Sequence, residues 1–283
     1  MPTFTNRATL TYNGGATDSN TVVGNIIETL TIAKNAQTDT YTAGSVVTYV
    51  VSLVNSGNTS FTGLTVTDNL GAYSFDGQTL YPLNYVDGSL LYYVNGVLQA
   101  TPTVTAGPPL TVTGISVPSG GNAILIYNAE VGNTAPLGAD STIVNTATVS
   151  GQGLAEPISA SETINTSDAP DLAITKALSP TSVAENGEIT YTFVISNYGN
   201  TAAVATDNLA VNDVFDPILA ITSVTLDGTP LAVGTGYTYD GVTGAFSTVQ
   251  GVITVPAATF IQEPDGTYTT VPGTATLVVT GTV

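Results

Sequence analysis

Lysine occurs only twice in this chain of 283 residues, and both lysines occupy the same place in an internal repeat. Lys34 ends the run LTIAK, and Lys176 ends the matching run LAITK, 142 residues later. Each lysine is followed by an aspartate at a matching position, Asp68 in the first copy and Asp213 in the second. The two copies therefore share a pair of groups between which a proton could move.

An asparagine amide would complete a set of groups that can form a covalent bond. Burial makes it easier for a lysine amine to lose its charge and for a carboxylic acid to keep its proton. The neutral amine can then attack the carbon of an asparagine amide, and ammonia leaves as an isopeptide forms. The first copy has Asn145 in the string NTATV, and the matching string NRATL places Asn6 near the start of the chain.

The composition argues against most other chemistry. The chain has no cysteine and no histidine, which removes disulfides, thiolate chemistry, imidazole catalysis and the common zinc sites. Its 21 acidic residues against three basic ones give a formal net charge of -18, so it has no basic patch for nucleic acid or for an anionic membrane. No apolar run approaches the roughly 20 residues that span a bilayer. We therefore expect no cofactor, no metal, no nucleic-acid partner, no membrane insertion and no turnover of an external substrate.

The repeat has the pattern of β-strands. The runs VVTYVVSLV from Val46 and ITYTFVI from Ile189 are rich in β-branched and aromatic residues. The dipeptides Asn95-Gly96 and Asp227-Gly228 suit type I′ hairpin turns. The sequence thus predicts an all-β protein with two tandem immunoglobulin-like Greek-key β-sandwiches and an N-terminal donor strand or hairpin. The predicted division is a donor segment at 1–27, sandwich 1 at 28–150, a connecting hairpin at 151–170 and sandwich 2 at 171–283.

The two copies differ at their ends. A closing strand around Asn145 follows the run 123–131 in the first copy, whereas the matching run 275–283 is the last of the sequence. A sandwich without its closing strand exposes unpaired backbone groups. We expect the N-terminal strand of one subunit to complete domain 2, residues 171–283, of the next by β-strand addition. Such a contact repeats head to tail and gives a homopolymeric filament. The predicted donor residues are Phe4, Asn6, Ala8, Leu10 and Tyr12.

These strings resemble a repeat family of bacterial surface proteins, the domain of unknown function eleven. Four features carry the resemblance between Leu30 and Val149: a leading strand that ends in lysine, a Thr-Tyr strand before Asn-x-Gly, a Val-x-Asp segment and a closing Asn-Thr-Ala-Thr-Val. The second copy departs from the family pattern because it lacks the closing strand. Two-domain members look like subunits of ribbon-like appendages on bacterial spores, which implies an extracellular surface appendage. Assembly in a mother cell, followed by release on lysis, would then explain why no signal peptide is visible.

The lysine pattern is also similar to that of sandwich modules in Gram-positive pilins and adhesins. In those modules a buried lysine on an early strand reacts with an asparagine on the last strand, with help from a carboxylic acid. The resemblance implies an intramolecular cross-link between Lys34 and Asn145, with Asp68 as the catalytic acid.

The same resemblance implies a second cross-link, this time between subunits. It would join Lys176 of one subunit to Asn6 of its neighbour. Asp213 is the expected acid, and Asp207, which lies in a similar local string, is the alternative.

Other interpretations stay open at this point. The lysines could be solvated or ion-paired at the rim of each sandwich, and domain 2 could be truncated or could close with one strand fewer. Asp-Gly turns such as those at Asp87 and Asp240 could hold calcium, although turn chemistry explains them. The protein could instead be a monomeric adhesin or carbohydrate-binding module with an aromatic platform. The platform would consist of Tyr81, Tyr85, Tyr92 and Tyr93.

Overall fold

The computed structural model of the chain describes residues 3–25 and 29–283. The chain divides into two compact units, Met1–Ala135 with Thr142–Asn165 and Pro136–Ser141 with Thr166–Val283. The regular structure of the described residues is β-strand, apart from one short 3-10 helix at Ala205–Asp207. None of these residues belongs to a helix that is long and apolar enough to cross a bilayer. The predicted all-β class is confirmed.

Residues 3–25 form an N-terminal hairpin. Its strands are β1 (Thr3–Asn6), β2 (Thr9–Tyr12), β3 (Gly15–Asp18) and β4 (Val22–Asn25). β1 pairs with β4 and β2 pairs with β3, and within the described ranges these strands pair with no others. The predicted border between the donor segment and sandwich 1, at residues 27 and 28, lies outside the described residues.

Sandwich 1 consists of the strands from β5 to β18. In chain order they are β5 (Leu30–Ala36), β6 (Thr40–Tyr41), β7 (Val46–Asn55), β8 (Phe61–Asp68), β9 (Tyr73–Phe75), β10 (Gln78–Leu80), β11 (Leu83–Tyr85), β12 (Leu91–Val94), β13 (Val97–Leu98), β14 (Thr103–Thr105), β15 (Leu110–Val117), β16 (Asn122–Val131), β17 (Thr142–Ser150) and β18 (Ile158–Thr166).

Two sheets of sandwich 1 face each other across its core. The first has the order β13-β12-β16-β7-β5, and the second has the order β14-β15-β8-β17-β18-β6. Alternation explains which face of each strand turns inward: in β7, Val47, Tyr49, Val51 and Leu53 are buried and the residues between them are not. β15 and β17 of the second sheet pack against β7, β16 and β5 of the first. The core therefore lies between the two buried faces.

One strand of sandwich 1 lies in the segment predicted as a connection. β18 falls within 151–170 and pairs with β17 along its length, from Ile158 opposite Val149 to Asn165 opposite Thr142. Only Ile164 and Thr166 in this strand are buried. Because most of its side chains are short and polar, the sequence has no aliphatic run to mark it. The structure places this strand in the second sheet of sandwich 1.

Sandwich 2 consists of the strands from β19 to β28. In chain order they are β19 (Leu172–Ser179), β20 (Glu188–Asn197), β21 (Asn212–Val214), β22 (Ala220–Leu226), β23 (Thr229–Pro230), β24 (Tyr237–Tyr239), β25 (Ala245–Thr248), β26 (Thr259–Gln262), β27 (Tyr268–Val271) and β28 (Gly273–Thr282).

The first sheet of sandwich 2 repeats the arrangement of sandwich 1. Its order is β19-β20-β28-β22-β23, so β28 lies between β20 and β22 as β16 lies between β7 and β12. The second sheet has only three strands, in the order β21-β25-β24. Side chains from both sheets, among them Phe193, Phe246 and Leu277, form one buried cluster. The copies therefore differ mainly in the second sheet.

The two predicted tight turns are confirmed. Asn95 and Gly96 have φ angles of 48° and 77°, and Asp227 and Gly228 have φ angles of 48° and 76°. Two positive φ angles in succession define the type I′ turn, which asparagine, aspartate and glycine tolerate best. These turns join β12 to β13 and β22 to β23.

A buried asparagine ends the equivalent strands β7 and β20 and explains the repeated Asn-x-Gly string. Asn55 is 1% exposed; its Nδ2 donates to the carbonyls of Thr59 and Pro118, each at 2.9 Å, and its Oδ1 accepts from the amide of Gly57 at 2.9 Å. Asn197 makes the same kind of contacts in sandwich 2. One side chain thus satisfies backbone groups of two loops that would otherwise be buried unpaired.

We expect Asn55→Ala to lower the free energy of unfolding by about 2–4 kcal/mol, because it leaves several backbone groups unsatisfied at about 1–3 kcal/mol each. Thermal and urea unfolding would measure the change. Asn58→Ala, at an exposed position of the same loop, is the matched control and should stay within about 0.5 kcal/mol of the parent. Equal effects of the two substitutions would contradict this role of Asn55.

Candidate functional site

Lys34 reaches into the core of sandwich 1 from the edge strand β5. It is 4% exposed, and its Nζ forms an ion pair with Oδ2 of Asp68, which ends β8 on the facing sheet and is 2% exposed. The same Nζ lies 4.8 Å from the ring centre of Tyr49. A fully buried ion pair has a large desolvation cost, so the pair is weak evidence for a purely stabilising role.

Tyr127 joins this pair, although it was not among the site residues predicted from the sequence. Its hydroxyl accepts a hydrogen bond from Nζ of Lys34 at 3.0 Å and donates one to Oδ2 of Asp68. Tyr127 lies on β16 directly opposite Tyr49 on β7, and the two rings stack with their centres 5.8 Å apart. Alternation in β16 signals that Tyr127 faces inward. Only the register between β16 and β7 brings its hydroxyl to the lysine.

Asn145 lies on the same inner face as Asp68, on the neighbouring strand. β17 pairs with β8 so that Ala147 is opposite Asp68, which puts Asn145 at the diagonal position within side-chain reach. Asn145 is 0% exposed; its Oδ1 and Nδ2 make no hydrogen bond of ordinary geometry, and the hydroxyls of Tyr49 and Tyr127 lie near its amide. A buried polar group without a partner costs about 1–3 kcal/mol and is rare in folded proteins. The unpaired amide of Asn145 therefore calls for a functional explanation.

Burial determines the proton affinities at this site. It lowers the pKa of Lys34 from 10.5 to about 8, against the opposing effect of Asp68. Burial also raises the pKa of the Tyr49 hydroxyl and that of the Tyr127 hydroxyl, and the nearby Asn145 amide opposes both increases. The lysine shift corresponds to about 3 kcal/mol against the charged amine. A neutral amine is thus accessible near neutral pH.

The predicted triad of sandwich 1 shares one buried site. Lys34 can supply a neutral amine, Asp68 is the carboxylate beside it, and Asn145 offers a buried amide. Such an arrangement can support attack of the amine on the amide carbon in a site that excludes water.

Lys176 and Asp213 form the matching pair in sandwich 2. Nζ of Lys176, on β19, pairs with Oδ2 of Asp213, on β21, and lies 4.4 Å from the ring centre of Tyr191. The side chains of the pair are 40% and 18% exposed, whereas those of Lys34 and Asp68 are 0% and 2% exposed. The second copy therefore has the same two groups in a site that is open to solvent.

Asp207, the alternative acid, lies elsewhere in sandwich 2. It ends the 3-10 helix, and its Oδ2 accepts a hydrogen bond from the amide of Val204 at 2.7 Å. The local string around Asp207 copies that of Asp68, but the structure uses it to cap a turn. Asp213 is the carboxylate beside Lys176.

The exposure of the second pair has a cause in strand pairing. β21 pairs with β25 on one side, and no strand of the described chain lies on its other edge. In sandwich 1 the equivalent strand β8 lies between β15 and β17. The amide of Phe215 bonds to Gly244 on the β25 side, so the amide of Val214 faces the free edge, where it donates to Oδ1 of Asp213 at 2.9 Å.

The predicted donor residues lie in the N-terminal hairpin and are all exposed. Asn6 is opposite Val22, and the carbonyl of Ala8 accepts a hydrogen bond from the amide of Ser19 at 2.8 Å. The structure thus brings Lys34, Asp68 and Asn145 together. It brings Lys176 to Asp213 separately and holds Asn6 on the hairpin. The other donor residues are Phe4, Leu10 and Tyr12, opposite Gly24, Thr17 and Gly15.

The tyrosines of the alternative sugar platform do not share a face. Tyr92 is 6% exposed and donates its hydroxyl to the carbonyl of Ser116 at 2.9 Å. Its neighbour Tyr93 points to the opposite side of the strand, and Tyr85 packs against Tyr127. Within the described ranges, no group of three or more His, Cys, Asp or Glu side chains could hold a metal ion.

No protein-family model and no curated protein sequence matches the chain. Among solved structures, it is similar to the major pilin subunit BcpA of Bacillus cereus, with 13% identity over 96% of this chain and 73% of that one and a TM-score of 0.36. It is similar to the collagen-binding domain from a Staphylococcus aureus adhesin, with 14% identity over 50% of this chain and 99% of that one and a TM-score of 0.31.

A third similar structure is a family 123 glycoside hydrolase from Clostridium perfringens, with 9% identity and a TM-score of 0.32. That match covers 49% of this chain and spans only 27% of the hydrolase. At these identities and scores the likenesses carry no argument about function. The resemblance to the domain of unknown function eleven stays a prediction.

The buried lysine predicts a pH-dependent stability. Asn145→Ala removes the amide of this site, so the amine of Lys34 stays free. Between pH 8 and 10.5 the unfolded lysine binds a proton that the folded lysine has released, so the free energy of unfolding should rise with pH by about 3 kcal/mol. Below pH 8 both states are protonated and the full cost of burial is present.

Urea unfolding at several pH values would measure this rise. Asn145→Ala combined with Lys34→Met is the control, because it keeps the same altered closing strand and removes the titrating amine. If the double variant shows the same rise, the pH dependence does not come from Lys34.

Proposed function

We propose that the protein is a structural subunit of an extracellular bacterial fibre, a spore or cell-surface appendage, that polymerises head to tail. The observation that carries this proposal is the contrast between the two copies of one site. In sandwich 1 the lysine–aspartate pair is closed by β17 with its Asn145, whereas in sandwich 2 the same pair lies beside the free edge of β21. The N-terminal hairpin carries the matching string with Asn6, exposed and paired only with itself.

The first step of the proposal is an intramolecular isopeptide in sandwich 1. The proton of the Lys34 ammonium moves to Asp68, and the neutral Nζ attacks Cγ of Asn145 while the protonated carboxyl polarises the amide. The Nζ–Cγ bond forms and the Cγ–Nδ2 bond breaks. One proton from Nζ reaches the leaving nitrogen, which departs as ammonia. The proton that Asp68 took from Lys34 then passes to this ammonia, which leaves as ammonium and regenerates the carboxylate. The step happens once per molecule, so the protein is not a turnover enzyme.

The second step of the proposal joins subunits. The donor strand of one subunit completes sandwich 2 of the next by pairing with β21, and Asn6 then supplies the amide that Lys176 lacks. Asp213 is the acid in this reaction. Because the donor and the acceptor are different surfaces, each subunit can bind one neighbour through its hairpin and another through sandwich 2, and the assembly grows as a filament.

The placement on a spore or cell surface is supported by the sequence resemblance to surface repeat proteins. Covalent links between subunits would suit such a place, since a fibre outside the cell cannot be repaired by resynthesis from within.

The intramolecular link predicts the mass of the folded protein. We expect an intact mass lower than the sequence mass by one ammonia for each isopeptide. Because trypsin does not cut after an acylated lysine, it should also leave residues 8–176 as one peptide that contains both Lys34 and Asn145 and lacks one ammonia. Lys34→Met and Asp68→Asn should restore the full mass of sandwich 1, while Asn58→Ala, at an exposed asparagine, should keep the loss of ammonia. Circular dichroism would show that each variant is folded. A folded parent protein of unreduced mass would refute the intramolecular link.

The link between subunits predicts detergent-resistant polymers. Filaments of the parent protein should give a ladder of oligomers after boiling in detergent, and Asn6→Ala filaments should fall apart into monomers under the same treatment. A variant without the residues before Gly15 should form no filaments by negative-stain microscopy. Asn20→Ala, at an exposed position between β3 and β4, is the control and should behave as the parent. Intact monomers from boiled parent filaments would refute the covalent contact, and filaments of the truncated variant would refute strand donation.

A further inference from the structure

The leading strands of the two sandwiches carry equivalent residues with very different exposure. Leu30 at the start of β5 is 2% exposed, and its counterpart Leu172 on β19 is 41% exposed. Ile174 on β19 is 54% exposed, and Lys176 is open to solvent as described above. At the equivalent positions of sandwich 1, Leu30 and Lys34 are buried and Ile32 is half-buried. The strands that cover this surface in sandwich 1 therefore show what sandwich 2 lacks; we call these strands the cover.

That cover is a pair of strands rather than one. β17 lies directly on β8, and β18 pairs with the outer edge of β17 from Thr142 to Val149. With both strands the second sheet of sandwich 1 has six strands, whereas that of sandwich 2 has three. Adding one strand to β21 would still leave a long unpaired edge, and such edges are prone to unwanted pairing.

The N-terminal hairpin has the shape and polarity of the missing pair. Its alternate residues Phe4, Leu10 and Tyr12 lie on one face, and they are 53%, 65% and 62% exposed. The opposite face holds an ion pair between Arg7 and Asp18. A two-stranded hairpin with an uncovered apolar face is marginally stable alone.

The charge of the hairpin also suits docking between copies of this chain. Residues 3–25 contain one arginine and one aspartate, in a chain with a formal net charge of -18. The donor segment is therefore formally neutral, and its approach to an acidic neighbour adds no net repulsion from its own charges.

We propose that the hairpin of one subunit docks intact, as two strands, on the free edge of β21 of the next subunit, in the register that puts Ala8 opposite Asp213. This inference rests on the proposed function and adds the form of the donor and its register. The register copies that of sandwich 1, where Ala147 is opposite Asp68 and Thr148 is opposite Thr67. Thr9 then lies opposite Asn212, and Leu10 lies beside Val211, where a cleft of about 180 Å³ is lined by Ile174 and Ile253.

Backbone hydrogen bonding is consistent with this register. In sandwich 1 the amide of Asn69, next to Asp68, donates to the carbonyl of Thr146 on β17 at 2.9 Å. The equivalent amide is that of Val214, which faces the free edge and bonds to the side chain of Asp213. In the docked state it donates instead to the carbonyl of Arg7. That exchange frees Oδ1 of Asp213 on the side where Asn6 arrives.

Disulfide trapping tests the register, because the natural chain has no cysteine. In a background with Asn6→Ala, which removes the isopeptide, Thr9→Cys and Asn212→Cys together should give a ladder of oligomers on a non-reducing gel that collapses with reductant. Residues opposite each other in an antiparallel pair have Cα atoms about 5.5 Å apart, within the range that a disulfide needs. The shifted pair Thr11→Cys with Asn212→Cys should give no ladder, because about 6.7 Å more along the strand separates the two sulfurs.

A locked hairpin tests whether two strands enter. Thr11 and Ala16 are directly opposite each other in β2 and β3, so Thr11→Cys with Ala16→Cys closes the hairpin on oxidation. We expect oxidised and reduced protein to form filaments equally well. The matched control is the parent protein under the same oxidant.

Each outcome separates this inference from the function on which it rests. If the parent forms no filaments, the proposed function fails. If the parent polymerises but the oxidised hairpin does so only after reduction, a single strand is donated and the two-strand inference fails. A ladder from the shifted cysteine pair overturns the register. A disulfide closed within one chain from the Thr9→Cys and Asn212→Cys pair overturns the choice of a second copy as the occupant.

Discussion

A lysine amine held inside an apolar sandwich is the interaction on which the candidate site depends. The charge of Lys34 is disfavoured by about 3 kcal/mol, which is a large part of the 5–15 kcal/mol that stabilises an ordinary domain. This figure is what remains after the ion pair with Asp68 has offset part of the desolvation. The cost of burying the Lys34 amine and the Asn145 amide is removed only if these two groups react with each other. Four strands, β5, β8, β16 and β17, must be in place before they can.

The repeat is the reason that the sequence predicts the strands and the two lysine–aspartate pairs, whereas the role of Asn145 is implied by the resemblance to pilin and adhesin modules. Alternation marks long strands such as β7 and β16, and matched positions in two copies single out Lys34 and Asp68 without knowledge of the fold. Three features of the structure could not be predicted from the repeat or from the alternation of apolar residues. β18 has too few buried side chains to mark it as a strand. Tyr127 is one of several inward residues, and only the strand register selects it. The choice between Asp207 and Asp213 depends on a turn that copies the local string of Asp68.

The two copies of the repeat separate the roles of the leading strand and the closing strand. β19 brings Lys176 to Asp213 without any closing strand, so the ion pair itself needs only the first sheet and β21. The closing strands β17 and β18 add burial. The lysine and aspartate side chains are 40% and 18% exposed in sandwich 2, and they are 0% and 2% exposed in sandwich 1, where these two strands are present. Positioning and activation of the lysine are therefore supplied by different parts of the sandwich.

This separation has a consequence for assembly under the proposed function. The amine of Lys176 lacks the burial that favours the neutral form of Lys34, and it also lacks an amide to attack. An arriving hairpin supplies both at once, because the strand that carries Asn6 is the strand that covers β19 and β21. Cross-linking between subunits then follows docking and cannot precede it, so that an incorrectly placed neighbour, which leaves Lys176 in water, is released rather than fixed in the fibre. Under the proposed function, the sandwich in which the edge of β21 is free is for this reason the one suited to recognise its partner.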